Sequence, residues 1–225
     1  MNPPYLEKIG ERGDITIWLV DGFYVRKNLD EEFTNFGQHY RFECIPENEF
    51  WIDREASPNE QPFYIDHLLL EHRLMKKGVS YVKALEFADR KERAERKKAE
   101  GILPAQSKGE VNPTIVHLQI INKTDDATIW LVDGRLVRDL FDIDFTEGGH
   151  DWVYKFVPKG EVWIDNDVEP EERSYILLHE LHERNLMKKG LSYNDAHADS
   201  SQLEYHVRHH LNELSEALQK EMGEK

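Results

Sequence analysis

The chain is written twice. Residues Thr16–Arg96 align without a gap onto Thr128–Arg208, every position displaced by 112 (128 minus 16). About two-fifths of the aligned positions are identical, among them TIWLVDG, WID and LMKKG. A chain of 225 residues built this way is expected to fold as two similar domains, each large enough for a modest core. The duplication also supplies an internal comparison. Features that both copies share point to the fold, and features that one copy alone retains point to chemistry.

Each copy reads as α+β. Asp21-Gly22 and Asp133-Gly134 stand between β-branched and aromatic runs, which predicts a tight hairpin. A second hairpin is expected around Pro46 and Pro158, giving four antiparallel strands per copy. A helix is predicted after Pro58 or Pro170, with Glu171 and Glu172 near its positive end and Lys-Lys-Gly at its close (Gly78, Gly190). Ser80 or Ser192 then introduces a second helix, which in the C-terminal copy is expected to run to about Met222. The expected organisation is an N-terminal repeat over 1–100, a linker over 101–113 holding Gly101, Pro104, Gly109 and Pro113, and a C-terminal repeat over 114–225.

Composition narrows the function classes. A formal net charge of −15 repels phosphate backbones, so nucleic acid is not an expected partner. The basic run Lys91–Lys98 is interleaved with Glu92 and Glu95 and reads as a solvated helix face. No apolar run reaches the roughly 20 residues of a membrane span, so no membrane association is expected. The single cysteine, Cys44, suits a reducing compartment, and a cytoplasmic location is the expectation. Cys44 aligns with Phe156, an apolar position, and does not read as a nucleophile.

The copies part company on the first long helix. The C-terminal copy reads His179-Glu180-Leu181-His182-Glu183 where the N-terminal copy reads His67-Leu68-Leu69-Leu70-Glu71, and His197 stands opposite Leu85. Residues four apart share a helix face, so His179 and Glu183 can reach a common ion. His197, on the next helix, is the best third ligand. Glu204, two turns further on, is a candidate fourth ligand or an orienting group. His182 forms an alternative pair with His179, but its position is Leu70 in the other copy whereas His67, Glu71 and Glu92 persist there. The plainer reading of such residues is a solvated helix face. The joint loss of Glu180 and His197 to leucine argues against it.

The pattern His179-Glu180-x-x-Glu183, followed by Gly190, Tyr193, His197 and Glu204, resembles the zincin-type metallopeptidases. The likeness is closest to small phage- and bacteria-associated members in which the active helix follows a sheet. It spans about 30 residues of one copy and departs from the standard motif at Glu183, where histidine is usual. It implies a metal-dependent hydrolase acting on a protein or peptide, zinc as the cofactor, His179, Glu183 and His197 as ligands, and Glu180 as general base. A contrasting expectation is a non-catalytic interaction module, in which Leu211, Leu214 and Leu218 mediate a protein contact or a homodimer. His206, His209 and His210 also have metal-like spacing but lack an evident carboxylate partner, and they read as solvated. Trp18, Trp51, Trp130 and Trp163 read as core, and Asp165 and Asp167 as capping residues.

Overall fold

The computed structural model describes residues 2–99 and 111–223; most of the expected linker lies outside them. The chain divides into two compact units, one of Met1–Val111 with Arg138–Asp144, the other of Asn112–Val137 with Phe145–Lys225. The N-terminal elements are β1 (Tyr5–Arg12), β2 (Ile15–Val20), α1 (Gly22–Asn28), β3 (Phe36–Gln38), β4 (Glu49–Asp53), α2 (Gln61–Met75) and α3 (Tyr81–Ala99). Their C-terminal counterparts are β5 (His117–Lys123), β6 (Thr128–Val132), α4 (Gly134–Leu140), β7 (Gly148–His150), β8 (Glu161–Asp165), α5 (Arg173–Lys188) and α6 (Tyr193–His209). One further helix follows, α7 (Leu214–Met222). The class is α+β, with two four-stranded sheets each followed by helices. Among the described residues no helix is long and apolar enough to cross a membrane.

The sheets are mixed, where two antiparallel hairpins were expected. Their strand orders are β1-β2-β4-β3 and β5-β6-β8-β7, and the central pairs β2–β4 and β6–β8 run parallel. The expectation failed at the Asp-Gly pairs, which start helices instead of turns. Asp21 accepts a hydrogen bond from the Tyr24 amide at 3.1 Å, and Asp133 accepts one from Leu136 at 2.9 Å, as helix N-caps do. Glycine follows because a Cβ at Gly22 or Gly134 would collide with the buried carboxylate of Asp53 or Asp165. The hairpin partner of β2 is β1, which precedes the repeated segment and turns at Gly13 (φ +66°).

The central strands are buried on both faces, which accounts for their unbroken apolar runs. Phe50, Trp51 and Ile52 in β4, and Val162, Trp163 and Ile164 in β8, are all buried. Tyr64 and Leu68 of α2 cover one face of the N-terminal sheet; Val25, Phe33, Phe42 and Ile45 cover the other. Each fully buried side chain of this size stabilises the fold by about 2 kcal/mol. In the C-terminal unit Ile176, Leu177 and Leu181 of α5 do the same work on Ile129, Val162 and Ile164.

α5 stops at Gly190 (φ +99°), where the Leu191 amide reaches back to the Leu186 carbonyl. Ser192 then caps α6 by accepting from the Asp195 amide. α6 ends at His209, short of the expected Met222. His210 leaves helical geometry (φ −128°, ψ 66°), and α7 folds back on the core. A straight helix would carry Leu218 and Met222 into solvent; the bend packs both on the core cluster.

Candidate metal centre

The turn at Gly190 lays α6 against α5 and brings together side chains from both helices. Glu183 Oε2 lies 3.8 Å from His179 Nε2 and 2.9 Å from His197 Nδ1, and the two imidazole nitrogens are 3.1 Å apart. The stretch between His179 and His197 thus folds so that three donor atoms face one point. A tetrahedral ion with bonds of about 2.0–2.2 Å would hold its donors about 3.3–3.6 Å apart. The observed separations bracket that range, and the two-nitrogen, one-carboxylate set is one that zinc accepts. The ring of Tyr193 stacks on His197, with centroids 5.5 Å apart.

Behind the triad runs a chain of charge-assisted hydrogen bonds. His179 Nδ1 meets Glu204 Oε2 at 3.0 Å, Arg208 Nε donates to Glu204 Oε1 at 2.9 Å, and Arg208 Nη1 donates to Glu172 at 3.0 Å. Glu204 therefore stands on the nitrogen of His179 turned away from the triad, where it fixes the ring. Burial disfavours a charged His179, but Glu183 and Glu204 outweigh it and raise the imidazole pKa well above its ordinary value. Burial alone would raise the Glu183 pKa; His150, His179 and His197 pull it far down instead.

Glu180 sits at the rim of this cluster. Its carboxylate belongs to a second convergent group with His150 and Glu183. Burial pushes it up to about 7, partly offset by His150 and His179. β7 passes close above it: a Cβ at Gly148 would press on the Glu180 Cγ at 3.1 Å and on Ile176 at 3.0 Å.

His182 is not brought into the cluster. It bonds Asp199 at 2.8 Å and lies 3.0 Å from Glu221 of α7, so it ties α7 down. His206 and His210 stack in the open and join no convergent donor group among the described residues. Asp165 accepts from the Asp167 amide beneath Gly134 and does not cap α5. Burial raises the Cys44 thiol pKa, the opposite of activation.

Sequence reasoning missed His150. It is fully buried on β7, with Nε2 2.9 Å from Glu183 Oε1 and Nδ1 3.2 Å from the Trp152 amide nitrogen. The signal was present in the repeat, because its counterpart is Gln38.

The N-terminal unit keeps the supporting chain and lacks the rim. His67 Nδ1 meets Glu92 at 2.9 Å, and Arg96 bridges Glu92 and Glu60, both at 2.9 Å. Leu68 and Leu85 stand where Glu180 and His197 stand, and Phe36 replaces Gly148 and lays its ring 5.1 Å from that of His67. No family model, curated protein or solved structure matches this chain, so the chemistry of the cluster alone speaks to its function.

Proposed function

We propose that the C-terminal unit is a zincin-like, metal-dependent hydrolase of peptide or amide bonds, and that the N-terminal unit is a duplicate without the site. The observation that supports this reading is the convergence of His179, Glu183 and His197 on one point, with Glu180 beside them. A divalent ion, zinc by its ligand preferences, would be held by those three residues and would supply Lewis acidity toward the scissile carbonyl. Glu204 orients His179 through Nδ1, and Arg208 and Glu172 brace Glu204 in turn. Glu180 takes the proton from the attacking water and delivers it to the leaving nitrogen. Gly148, bare of a side chain, leaves β7 close to that carboxylate.

The interaction-module reading draws on the leucine stripe near the C-terminus. Leu218 is occupied against the unit's own core, while Leu211 is 59% exposed. A homodimer through that remnant would show in light scattering.

The test of the hydrolase is elemental analysis of protein purified without a metal-affinity tag. We expect about one zinc per chain, lost in His179→Ala and kept in Glu180→Gln. Hydrolysis of a mixed peptide library should fall by about 10²–10⁴ in Glu180→Gln. Zinc below about a tenth of an equivalent, with no uptake from added zinc, removes the proposal.

A further inference from the structure

We infer that His150 is a positioning residue and not a ligand: it holds Glu183 so that a single carboxylate oxygen faces the metal centre, which therefore takes one ion. This rests on the metal-centre reading above and makes it specific. The donor geometry also offers a two-ion arrangement. Two groups of donors converge, His179–Glu183–His197 and His150–Glu180–Glu183, and they share Glu183. One oxygen of that carboxylate faces each group, Oε2 toward His197 and Oε1 toward His150. A carboxylate shared in this way could bridge two ions, as two-metal hydrolytic sites do.

The hydrogen bonding of His150 decides between them. Its Nδ1 faces the backbone N–H of Trp152 at 3.2 Å. A backbone amide only donates, so Nδ1 accepts and carries a lone pair, which places the ring proton on Nε2. That nitrogen faces Glu183 Oε1 at 2.9 Å and donates to it. A protonated ring nitrogen has no lone pair for an ion. His179 is arranged the opposite way: its Nδ1 faces the Glu204 carboxylate, which leaves Nε2 to face the triad. What stands behind each ring thus suits the two histidines to opposite roles: a backbone amide behind His150 leaves Nε2 to donate, and the Glu204 carboxylate behind His179 takes the Nδ1 proton and leaves Nε2 for the triad.

The N-terminal unit gives an independent indication. Gln38, at the position of His150, donates from Nε2 to Glu71 Oε1 at 2.7 Å. An amide nitrogen is not a metal ligand, yet it supplies the same donor to the same carboxylate oxygen. The role common to both units is that of an N–H on the Glu183-type carboxylate. His150 is completely buried, so no solvent competes for this bond.

The experiment measures zinc stoichiometry and affinity by competition with a chromophoric chelator, in the full chain, for wild type, His150→Gln and His150→Ala. We expect one zinc in each, with His150→Gln within about threefold of wild type. His150→Ala should be weakened by about 10- to 100-fold, the usual effect of losing a group that orients a ligand. A His150→Gln chain as impaired as His150→Ala would make His150 a ligand and overturn the inference. So would a second zinc in wild type that disappears in His150→Gln, or a His150→Ala chain that binds as tightly as wild type. Wild type that takes up no zinc would instead remove the metal-centre reading, and the inference with it. Circular dichroism monitors folding, and if His150→Ala fails to fold, the His150→Gln arm and the wild-type stoichiometry still decide.

Discussion

His67 and His179 occupy equivalent helical positions, share the same bracing chain and lie in opposite surroundings. Behind each ring stand a glutamate, an arginine and a second glutamate: Glu92, Arg96 and Glu60 for His67, and Glu204, Arg208 and Glu172 for His179. In front, His179 faces Glu183 and His197, with Glu180 at the rim. His67 faces Glu71 at 3.6 Å, with Phe36 and buried Leu68 beside it. Burial penalises a charged His67, yet Glu71 and Glu92 outweigh it and raise its pKa to about 9. A proton held between carboxylates balances the charge in one unit where, on our reading, an ion does so in the other. The bracing chain therefore belongs to the fold, and the rim is what can be exchanged.

The largest effect is expected from moving the rim to the N-terminal unit. Phe36→Gly, Leu68→Glu and Leu85→His in the N-terminal unit, with Gln38 left in place, should raise zinc uptake from about one to about two per chain. Elemental analysis reads this directly, and a folded triple variant that stays at one equivalent would mean that the rim is insufficient.

A smaller effect sharpens the role of His67. Its folded pKa of about 9 lies above the ordinary value of 6.5, so its stabilisation is complete below about pH 6.5 and is lost as pH climbs through 9. The loss should be on the order of 2–3 kcal/mol. It can be measured as the gap between the urea midpoints of wild type and His67→Gln from pH 6 to 10. A gap that does not change with pH would refute it.

The smallest expected effect is at the turn that delivers His197. Ser192→Ala removes the cap of α6 and should cost the C-terminal unit about 1 kcal/mol. Zinc affinity should fall only slightly, because packing of α6 on α5 still holds His197 in place. A large loss would mean that the cap itself sets the ligand geometry.

The first long helix of each copy and its glycine stop were legible because the signals are local, whereas α1 and α4 were expected as strands and α6 was expected to run on to Met222. Lys-Lys-Gly needs only the positive φ that Gly78 and Gly190 adopt, and helical spacing alone places His179 beside Glu183. The sheet was less legible because alternation of side chains does not reveal which strand lies alongside. Asp-Gly serves a helix start as well as it serves a hairpin, and strands β1 and β5 precede the repeated segment. His150 escaped for a related reason. It lies on a three-residue strand, 33 positions before Glu183, where no spacing rule connects a strand to a helix. Only the pairing of His150 with Gln38 across the repeat could have marked it.

The parallel central pair has a consequence for how each unit forms. Between Val20 and Glu49, the ends of β2 and β4, the chain inserts residues 21–48, so the middle of the sheet cannot close until a long loop has been ordered. The β1–β2 hairpin and the α2–α3 pair need only short-range contacts and should assemble first. Until the crossover closes, Phe50-Trp51-Ile52, and Val162-Trp163-Ile164 in the other unit, lack the partner strand that shields them. These uncharged, β-prone runs are where aggregation would begin during refolding, which makes the slowest-forming part of each unit also its most vulnerable.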